Sequence, residues 1–162
     1  MNNCEIERKF LVLSDAYKTS ATSSQHICQG YLCSKKVTAR IRIYGEKAYL
    51  TIKGKSRDGG LSRFEWEREI PLKCAEALLK RCSELIDKHR YIVPYRGYIY
   101  EVDEFHGENE GLILGEVELR KKDERPELPP WISDEVTQFG CFRNSYLAHH
   151  PISTWIKKDG RK

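Results

Sequence analysis

Charged residues occupy alternate positions along the first predicted strand of this chain. In the segment Cys4–Leu13, Glu5, Glu7 and Lys9 alternate with isoleucine, arginine and phenylalanine. Successive side chains of a strand point to opposite faces of a sheet, so two carboxylates and one ammonium group share a face. Arg8 falls on the opposite face. A face with this charge does not suit an ordinary apolar core.

The alternation of hydrophobic and polar positions predicts eight strands separated by short connections. The pair Gly45-Glu46 predicts a turn after the third strand, and Pro71 ends the fifth. The predicted strands are Cys4–Leu13, His26–Cys33, Val37–Tyr44, Lys47–Lys53, Arg63–Ile70, Ile86–Val93, Tyr98–Phe105 and Leu112–Arg120. Many strands at short spacing predict a mainly β fold (α+β), built as an antiparallel barrel or sandwich.

Helices are predicted to be few and short. Ser14, as a possible N-cap, opens a helical turn, and the apolar spacing around Ala77 predicts a second helix. The helix around Ala77 is predicted as Cys74–Cys82, two further helices as Asp134–Val136 and Asn144–His149, and the loops as Thr19–Gln25 and Gly54–Leu61. Residues 1–156 are expected to form a single domain, and residues 157–162 a disordered tail.

Seven of the eight predicted strands repeat the same pattern, with charged residues on one face and apolar residues on the other. The carboxylates on the charged face are Glu5, Glu7, Glu65, Glu67, Glu101, Asp103, Glu116 and Glu118. The cations are Lys9, Arg40, Arg42, Lys53, Lys88 and Arg90. A solvated outer face is one explanation for any single strand. Neighbouring carboxylates repel each other unless a cation lies between them, however, and this favours a shared interior over seven separate surfaces.

A barrel of about eight strands encloses room for side chains or for one small ligand. If the charged face is inside, the lumen holds carboxylates and cations together, which is too costly for a dry core. A ligand that carries both signs resolves this, and a polyphosphate with divalent metals is such a ligand. Arginine and lysine bind phosphate oxygens, and carboxylates hold Mg²⁺ or Mn²⁺.

Composition narrows the class of protein. The chain has 162 residues, of which 32% are charged and 40% hydrophobic, with a net charge of +4. That balance gives no reason to expect nucleic-acid binding. No apolar run predicts a membrane helix, and the N-terminus has no secretory h-region. The six cysteines lack CxxC spacing, so they are expected to be reduced thiols in the cytoplasm.

With these motifs in order, the chain resembles the CYTH superfamily, the triphosphate tunnel metalloenzymes. EIERK resembles the ExExK signature of the family, and ARIR, TIK, FEWE, KHR, YEVD and GEVEL follow it in the expected order. The segments CQGYL, GGLSRFEWE and PPWISDEVT are most similar to short bacterial members, including tripolyphosphatases. The resemblance covers nearly the whole chain, from the first strand to about Asn144.

The resemblance implies an eight-stranded antiparallel β-barrel tunnel, covered by short helices, that binds a triphosphate group. The implied phosphate-binding residues are Lys9, Arg40, Arg42, Lys53 and Arg90. The implied metal ligands, for Mg²⁺ or Mn²⁺, are Glu5, Glu7, Asp103, Glu116 and Glu118. Lys88, Glu65 and Glu67 are implied as catalytic residues that position water, a second metal or the leaving phosphate.

Three functions are weighed on this basis. The first is metal-dependent hydrolysis of inorganic tripolyphosphate by water, without a covalent enzyme intermediate. The second is a class IV adenylate cyclase reaction in the same tunnel. Cyclases of this superfamily carry an HF-containing motif before ExExK, whereas this chain has MNNC at that place, and the difference counts against a cyclase. A polyphosphate-binding module without activity is disfavoured because both carboxylate sets are intact. The expected partner is a small-molecule triphosphate, without nucleic acid or membrane, and a homodimer is left open.

Overall fold

An antiparallel sheet makes up most of the chain, for which the computed structural model describes residues 4–33, 38–57 and 62–155. The strands in these ranges are β1 (Cys4–Val12), β2 (Ser23–Cys33), β3 (Thr38–Tyr44), β4 (Lys47–Arg57), β5 (Ser62–Ile70), β6 (Leu85–Tyr95), β7 (Tyr98–Phe105), β8 (Ile113–Glu118) and β9 (Ile132–Glu135). The α-helices are α1 (Tyr17–Ser20), α2 (Leu72–Leu79) and α3 (Asn144–His149). Short 3₁₀ segments cover Gly107–Asn109, Gly140–Phe142 and Ile152–Thr154.

The strands follow one another in the order β5-β4-β3-β2-β6-β7-β8-β1-β9, and β1 also pairs with β5. This additional pairing joins Cys4–Ile6 to Ser62–Phe64 over three residue pairs. The run of eight strands from β5 to β1 therefore returns on itself through one short seam. The predicted mainly β, antiparallel fold is confirmed, but the sheet has nine strands where eight were predicted.

The ninth strand replaces a predicted helix. Asp134–Val136 was expected to be helical, whereas Ile132–Glu135 forms β9 and pairs with β1 at Phe10 and Val12. A cross-strand ion pair between Arg8 and Glu135 adds to this pairing on the outer face. The free backbone groups of β1 give the segment hydrogen bonds that a single helical turn would lack, so tertiary pairing overrides the local preference.

Two predicted loops are partly strands. The segment Thr19–Gln25 was expected to be a loop, but β2 begins at Ser23 because Ser23–Gln25 pairs with the end of β6. Similarly, β4 continues to Arg57, past the predicted loop start at Gly54, with a register shift between Lys53 and Ser56. Other predictions lie outside the described residues: the remainder of the Gly54–Leu61 loop, Val37 and the disordered tail 157–162.

The first two helices also differ in their bounds from the sequence prediction. The α1 helix begins at Tyr17 with Ala16 at its N-cap position, so Ser14 does not cap it. The α2 helix begins directly after Pro71, two residues before the predicted start, and ends at Leu79, three residues before the predicted end at Cys82. None of the helices in the described ranges has the length and apolar character that a membrane-crossing helix requires.

Apolar side chains on the outer face of the sheet pack beneath these helices and β9. Ala75 and Leu79 of α2 pack with Ile41 of β3 and Ala48 of β4. A larger outer cluster consists of Phe10, Tyr17, Val93, Tyr100, Val102, Val117, Leu119, Trp131 and Ile132. The core of the protein therefore lies outside the ring of strands, which leaves the inner face free for the charged residues.

A second apolar cluster fills one end of the inner face. Ile86, Phe105 and Leu114 pack with Leu147 and Ala148 of α3. The three strand residues have the same parity as Lys88, Asp103 and Glu116. We call this cluster the apolar floor, because the charged part of the inner face begins next to it.

Gly30 is a position where the fold leaves no room for a side chain. A Cβ atom there would lie 2.7 Å from Cys82 Sγ and 2.9 Å from Leu85 Cδ2. We therefore expect Gly30→Ala to lower the free energy of unfolding by about 1–3 kcal/mol in urea denaturation, the usual cost of overpacking. Gly115→Ala is the matched strand control, since its nearest contact would be an ordinary 3.4 Å to Ile132 Cδ1. Equal stability of the two variants would contradict the close packing at Gly30.

Candidate active site

The register of the strands places the predicted charged residues on one continuous inner face. Residues directly opposite each other in neighbouring strands point to the same side of a sheet. Glu116 is opposite both Lys9 and Glu101, and Thr51 is opposite both Arg40 and Glu67. Because β1 pairs with β5 as well as with β8, the strands that carry this face return on themselves and the face encloses a lumen.

The most buried charges of the lumen lie beside the apolar floor. Lys88 and Asp103 are each only 1% exposed, and Lys88 Nζ donates to Asp103 Oδ2 at 2.5 Å. Arg90 donates to both oxygens of the same carboxylate, from Nε and Nη2, at 2.7 Å each. Two cations therefore hold Asp103: Arg90 through a bidentate contact and Lys88 through a single hydrogen bond.

Burial and charge act in opposite directions on this group. Burial lowers the pKa of Lys88 to about 8, although the Asp103 carboxylate opposes the shift. Burial alone would raise the pKa of Asp103, but the charges of Arg90 and Lys88 outweigh it and lower that pKa. Asp103 is thus a carboxylate at neutral pH in spite of its burial.

Glu116 connects β8 to two cations on other strands. Its Oε1 lies 2.8 Å from Lys9 Nζ on β1, and its Oε2 lies 3.1 Å from Arg90 Nη2 on β6. Burial would raise the pKa of Glu116, but the charges of Lys9, Arg90 and Lys88 hold it well below its usual range. Lys9 Nζ also donates to the carbonyl oxygen of Phe142 at 3.3 Å, next to α3.

A second group of charges lies on β3, β4 and β5. Glu67 accepts from Thr51 Oγ1 at 2.6 Å, and its Oε2 lies 3.2 Å from Nη2 of Arg40 and of Arg42. Lys53 Nζ lies 2.6 Å from Glu65 Oε2. Burial and the neighbouring Arg40 lower the pKa of Arg42. Burial alone would raise the pKa of Glu67, but the hydrogen bond from Thr51 and the charge of Arg42 outweigh burial and lower this pKa.

The two arginines of β3 keep unused donors. The Nε atoms of Arg40 and Arg42 are buried and have no hydrogen-bond partner among the residues that the structure describes. Both guanidinium groups therefore retain a donor that their ion pairs with Glu67 do not use. Such donors in fixed fork geometry are suited to phosphate oxygens.

The remaining predicted site residues lie where the lumen is more exposed. Arg63 Nη2 lies 3.3 Å from Glu7 Oε1, and Glu118 is exposed at the end of β8, opposite Glu7. The backbone of Glu5 pairs with that of Arg63, but the side chain of Glu5 lies outside the described groups. Glu101, which is 39% exposed, pairs with Arg90.

The match to known families covers nearly all of this arrangement. The CYTH domain model matches residues 3–149. The chain belongs to the CYTH domain family. All the charged lumen residues described above lie inside the matched range, so the predicted family is confirmed. Dependence on a divalent metal is general in this family.

Two curated relatives and one solved structure are similar to this CYTH chain over most of their length. An inorganic triphosphatase of Acetivibrio thermocellus is 43% identical over 154 residues, which cover 93% of this chain and 97% of the relative. An inorganic triphosphatase of Nitrosomonas europaea is 33% identical over 150 residues, which cover 89% of this chain and 96% of the relative. The crystal structure of an inorganic triphosphatase is 30% identical, covers 89% of this chain and 93% of its own, and has a TM-score of 0.64.

The CYTH lumen brings together most of the residues predicted from the sequence. Twelve of the thirteen predicted site residues have described side chains, on the inner face of β1 and β3–β8; the thirteenth is Glu5. These twelve are Glu7, Lys9, Arg40, Arg42, Lys53, Glu65, Glu67, Lys88, Arg90, Asp103, Glu116 and Glu118. Their individual roles stay predictions. The carboxylates are engaged by cations rather than gathered together, and the described residues contain no group of three or more acidic, cysteine or histidine side chains arranged to hold a metal.

Three polar residues of the CYTH lumen were not among the predicted site residues. Asn144, at the predicted start of the last helix, accepts a hydrogen bond from Lys88 Nζ at 3.2 Å through Oδ1. Gln29 and Tyr31 lie on β2, the one strand without charged alternation, and are joined by a 2.7 Å hydrogen bond. The alternation along β2 was the signal available in the sequence, because it places Gln29 and Tyr31 on one face of the strand. In the structure, these two residues are opposite Arg42 and Arg40.

Proposed function

We propose that this chain is a divalent-metal-dependent hydrolase of inorganic triphosphate. The observation that carries the proposal is the lumen in which five cations, Lys9, Arg40, Lys53, Lys88 and Arg90, are each at most 8% exposed. Burying this many charges is costly even when carboxylates pair with them, and a triphosphate with its metal supplies both signs. The names of the two curated relatives and of the solved structure support the same activity.

The phosphate-binding role falls to Lys9, Arg40, Arg42, Lys53 and Arg90. Phosphoryl transfer requires positioning and charge stabilisation more than covalent chemistry, because the charge of the transition state is spread over phosphate oxygens. The unused Nε donors of Arg40 and Arg42 support a position for these oxygens along β3. Tyr31 adds a neutral hydroxyl donor directly opposite Arg40.

The metal-binding role falls to Glu5, Glu7, Asp103, Glu116 and Glu118, whose carboxylate oxygens are the ligands that Mg²⁺ and Mn²⁺ prefer. The low pKa values of Asp103 and Glu116 keep two of them ionised, which fits the group to a hard cation. When bound, the metal would neutralise phosphate charge and lower the pKa of a bound water.

Lys88, Glu65 and Glu67 are proposed as the catalytic residues. Lys88 can donate to a phosphate oxygen or to water beside the apolar floor, where Asp103 and Asn144 fix the position of its ammonium group. Glu65 and Glu67 hold Lys53 and Arg42 in place and can accept a proton from an attacking water. Substrate binding requires the lumen cations to exchange carboxylate partners for phosphate oxygens.

The proposal is tested by measuring phosphate release from tripolyphosphate, ATP and thiamine triphosphate with Mg²⁺, with Mn²⁺ and with a chelator. We expect hydrolysis of tripolyphosphate to be fastest, and the chelator to abolish it. The same reactions are assayed for cyclic AMP, the product of the adenylate cyclase alternative. Formation of cyclic AMP without free phosphate would overturn the triphosphatase proposal in favour of that alternative.

The cytoplasmic location stays a prediction, and the oligomeric state stays open. The described cysteines Cys28, Cys74, Cys82 and Cys141 are free thiols, which supports a reducing compartment. Size-exclusion chromatography with light scattering at several protein concentrations measures the oligomeric state directly.

A further inference from the structure

Two tyrosine rings contact the guanidinium group of Arg42. The Cζ atom of Arg42 lies 5.6 Å from the centre of the Tyr49 ring and 6.0 Å from the centre of the Tyr44 ring. A cation within about 6 Å of a ring centre is attracted by the negative charge of the ring face. Tyr49 is directly opposite Arg42 on β4, and Tyr44 lies two residues after Arg42 on β3, so the three side chains share the inner face.

Arg42 is held by fewer carboxylates than Arg90. The carboxylates that contact Arg90 are those of Glu101, Asp103 and Glu116. Among the described residues, the only carboxylate in contact with Arg42 is that of Glu67, at 3.2 and 3.3 Å from Nη2. Arg40 shares this carboxylate. The two tyrosine rings supply the other contacts of the Arg42 guanidinium group, and a ring face does not occupy an N–H donor in the plane of that group.

The charges around Arg42 are mixed. Burial lowers the pKa of Arg42, and the neighbouring cations Arg40 and Arg90 act in the same direction. The carboxylates of Glu67 and Glu101 oppose this shift but do not reverse it. An aromatic ring carries no net charge, so it stabilises Arg42 without neutralising it. A further carboxylate would occupy N–H donors and weaken the attraction for an anion, and ring contacts therefore suit an arginine that binds phosphate.

The two rings lie at the end of the β3–β4 hairpin. The turn that follows Tyr44 is exposed, whereas Tyr44 and Tyr49 are both half-buried. Burial raises the pKa of Tyr44, and charges on β6 and β7 also act on this pKa, so the ring faces the lumen. Along β3, Tyr44 separates Arg42 from the exposed turn, and the rings therefore restrict the access of water to the guanidinium group. Exclusion of water strengthens the attraction between a cation and an anion.

We infer that Tyr44 and Tyr49 are positioning residues that hold the guanidinium group of Arg42 by their ring faces for a phosphate group of the substrate. The inference rests on the proposed function and adds to it two residues outside the charged motifs. The Nε donor of Arg42, which has no partner among the described residues, stays available in this arrangement. A side chain that is fixed in advance loses less entropy when it binds. The tyrosines act through Arg42, and their loss should therefore weaken substrate binding.

Leucine and phenylalanine variants separate the ring from the hydroxyl group. By calorimetry with metal-free tripolyphosphate, we expect Tyr49→Leu to raise the dissociation constant about 3- to 10-fold, because a cation–π contact is lost. Tyr49→Phe keeps the ring face and should stay within about twofold of wild type. Tyr44→Leu and Tyr44→Phe should follow the same order. In steady-state hydrolysis the loss in both leucine variants should appear in KM, with kcat within about threefold of wild type.

Two further variants test whether the tyrosines act through Arg42. In an Arg42→Ala background, Tyr49→Leu should change the dissociation constant less than about twofold, because the ring has no cation left to hold. The control is Tyr95→Leu. Tyr95 is also half-buried and its ring lies 6.0 Å from Cζ of Arg96, but it packs against the outer cluster, so its loss should leave the dissociation constant within about twofold of wild type.

Wild-type affinity in both leucine variants would overturn the inference. Equal losses in the leucine and phenylalanine variants would overturn it as well, because they would assign the effect to the hydroxyl group. So would an undiminished effect of Tyr49→Leu in the Arg42→Ala background. Thermal unfolding identifies variants that do not fold, and methionine then replaces leucine at the same position. If wild-type protein binds tripolyphosphate but hydrolyses no triphosphate, the proposed function alone fails, since calorimetry measures binding without turnover.

Discussion

Replacing Asp103 by alanine is expected to lower the free energy of unfolding by about 3–5 kcal/mol, the loss seen when one partner of a buried ion pair is removed. Asp103 is 1% exposed and compensates Lys88 and Arg90 together. Without it, Lys88 stays buried next to the apolar floor with only Asn144 as a described hydrogen-bond acceptor. Urea denaturation of purified protein measures the change.

Glu101→Ala is the matched control for this variant. Glu101 lies on the same strand and pairs with the same Arg90, but its side chain is 39% exposed. An exposed ion pair contributes less than about 1 kcal/mol, so the control should unfold close to wild type. If Asp103→Ala and Glu101→Ala lower the free energy of unfolding equally, the buried ion pairs of Asp103 do not contribute the stability assigned to them.

Replacing Glu116 by glutamine is expected to lower kcat/KM for tripolyphosphate about 100-fold or more. Removal of a residue that only supports a metal ligand costs about 10- to 100-fold, and a proposed ligand should cost at least as much. Glutamine keeps the size of the side chain but removes the charge that faces Lys9 and Arg90. Steady-state phosphate release at several Mg²⁺ and Mn²⁺ concentrations measures both the rate and the apparent metal affinity.

Glu135→Gln separates this effect from a general loss of charge. Glu135 also pairs with an arginine, Arg8, but on the outer face of the sheet. Its replacement should leave kcat/KM within about twofold of wild type. Activity of Glu116→Gln that matches this control would remove Glu116 from the metal site and leave it a purely structural partner of Lys9 and Arg90.

The inner face of the barrel is the part of the fold that sequence alone predicted best. Alternation of charges works because a strand has a period of two, so Lys9, Arg90 and Glu116 had to share a face wherever the strands were placed. The same period also predicted the outer core, including Phe10 and Val102. The resemblance to the family rests on motifs at these positions, and the family and the mainly β fold are confirmed.

Features that depend on contacts between distant segments were not predictable in the same way. The β9 strand forms because β1 offers it hydrogen bonds, which nothing in ISDE itself indicates. The partner of each buried cation also depends on strand order and tilt: Arg90 reaches Glu116 two strands away as well as its neighbour Asp103. Gln29 was not predicted as a lumen residue because the prediction rested on alternating charges and its side chain is neutral.

The short seam between β1 and β5 has a consequence for behaviour at high concentration. Among the described residues, Arg68–Ile70 pairs with β4 but with no second strand, so this end of β5 is an open strand edge. Open edges can recruit strands from other molecules and begin aggregation, unless charges keep approaching chains apart. Arg68 and Glu69 are both exposed on this stretch. These two charges therefore oppose self-association through the open edge.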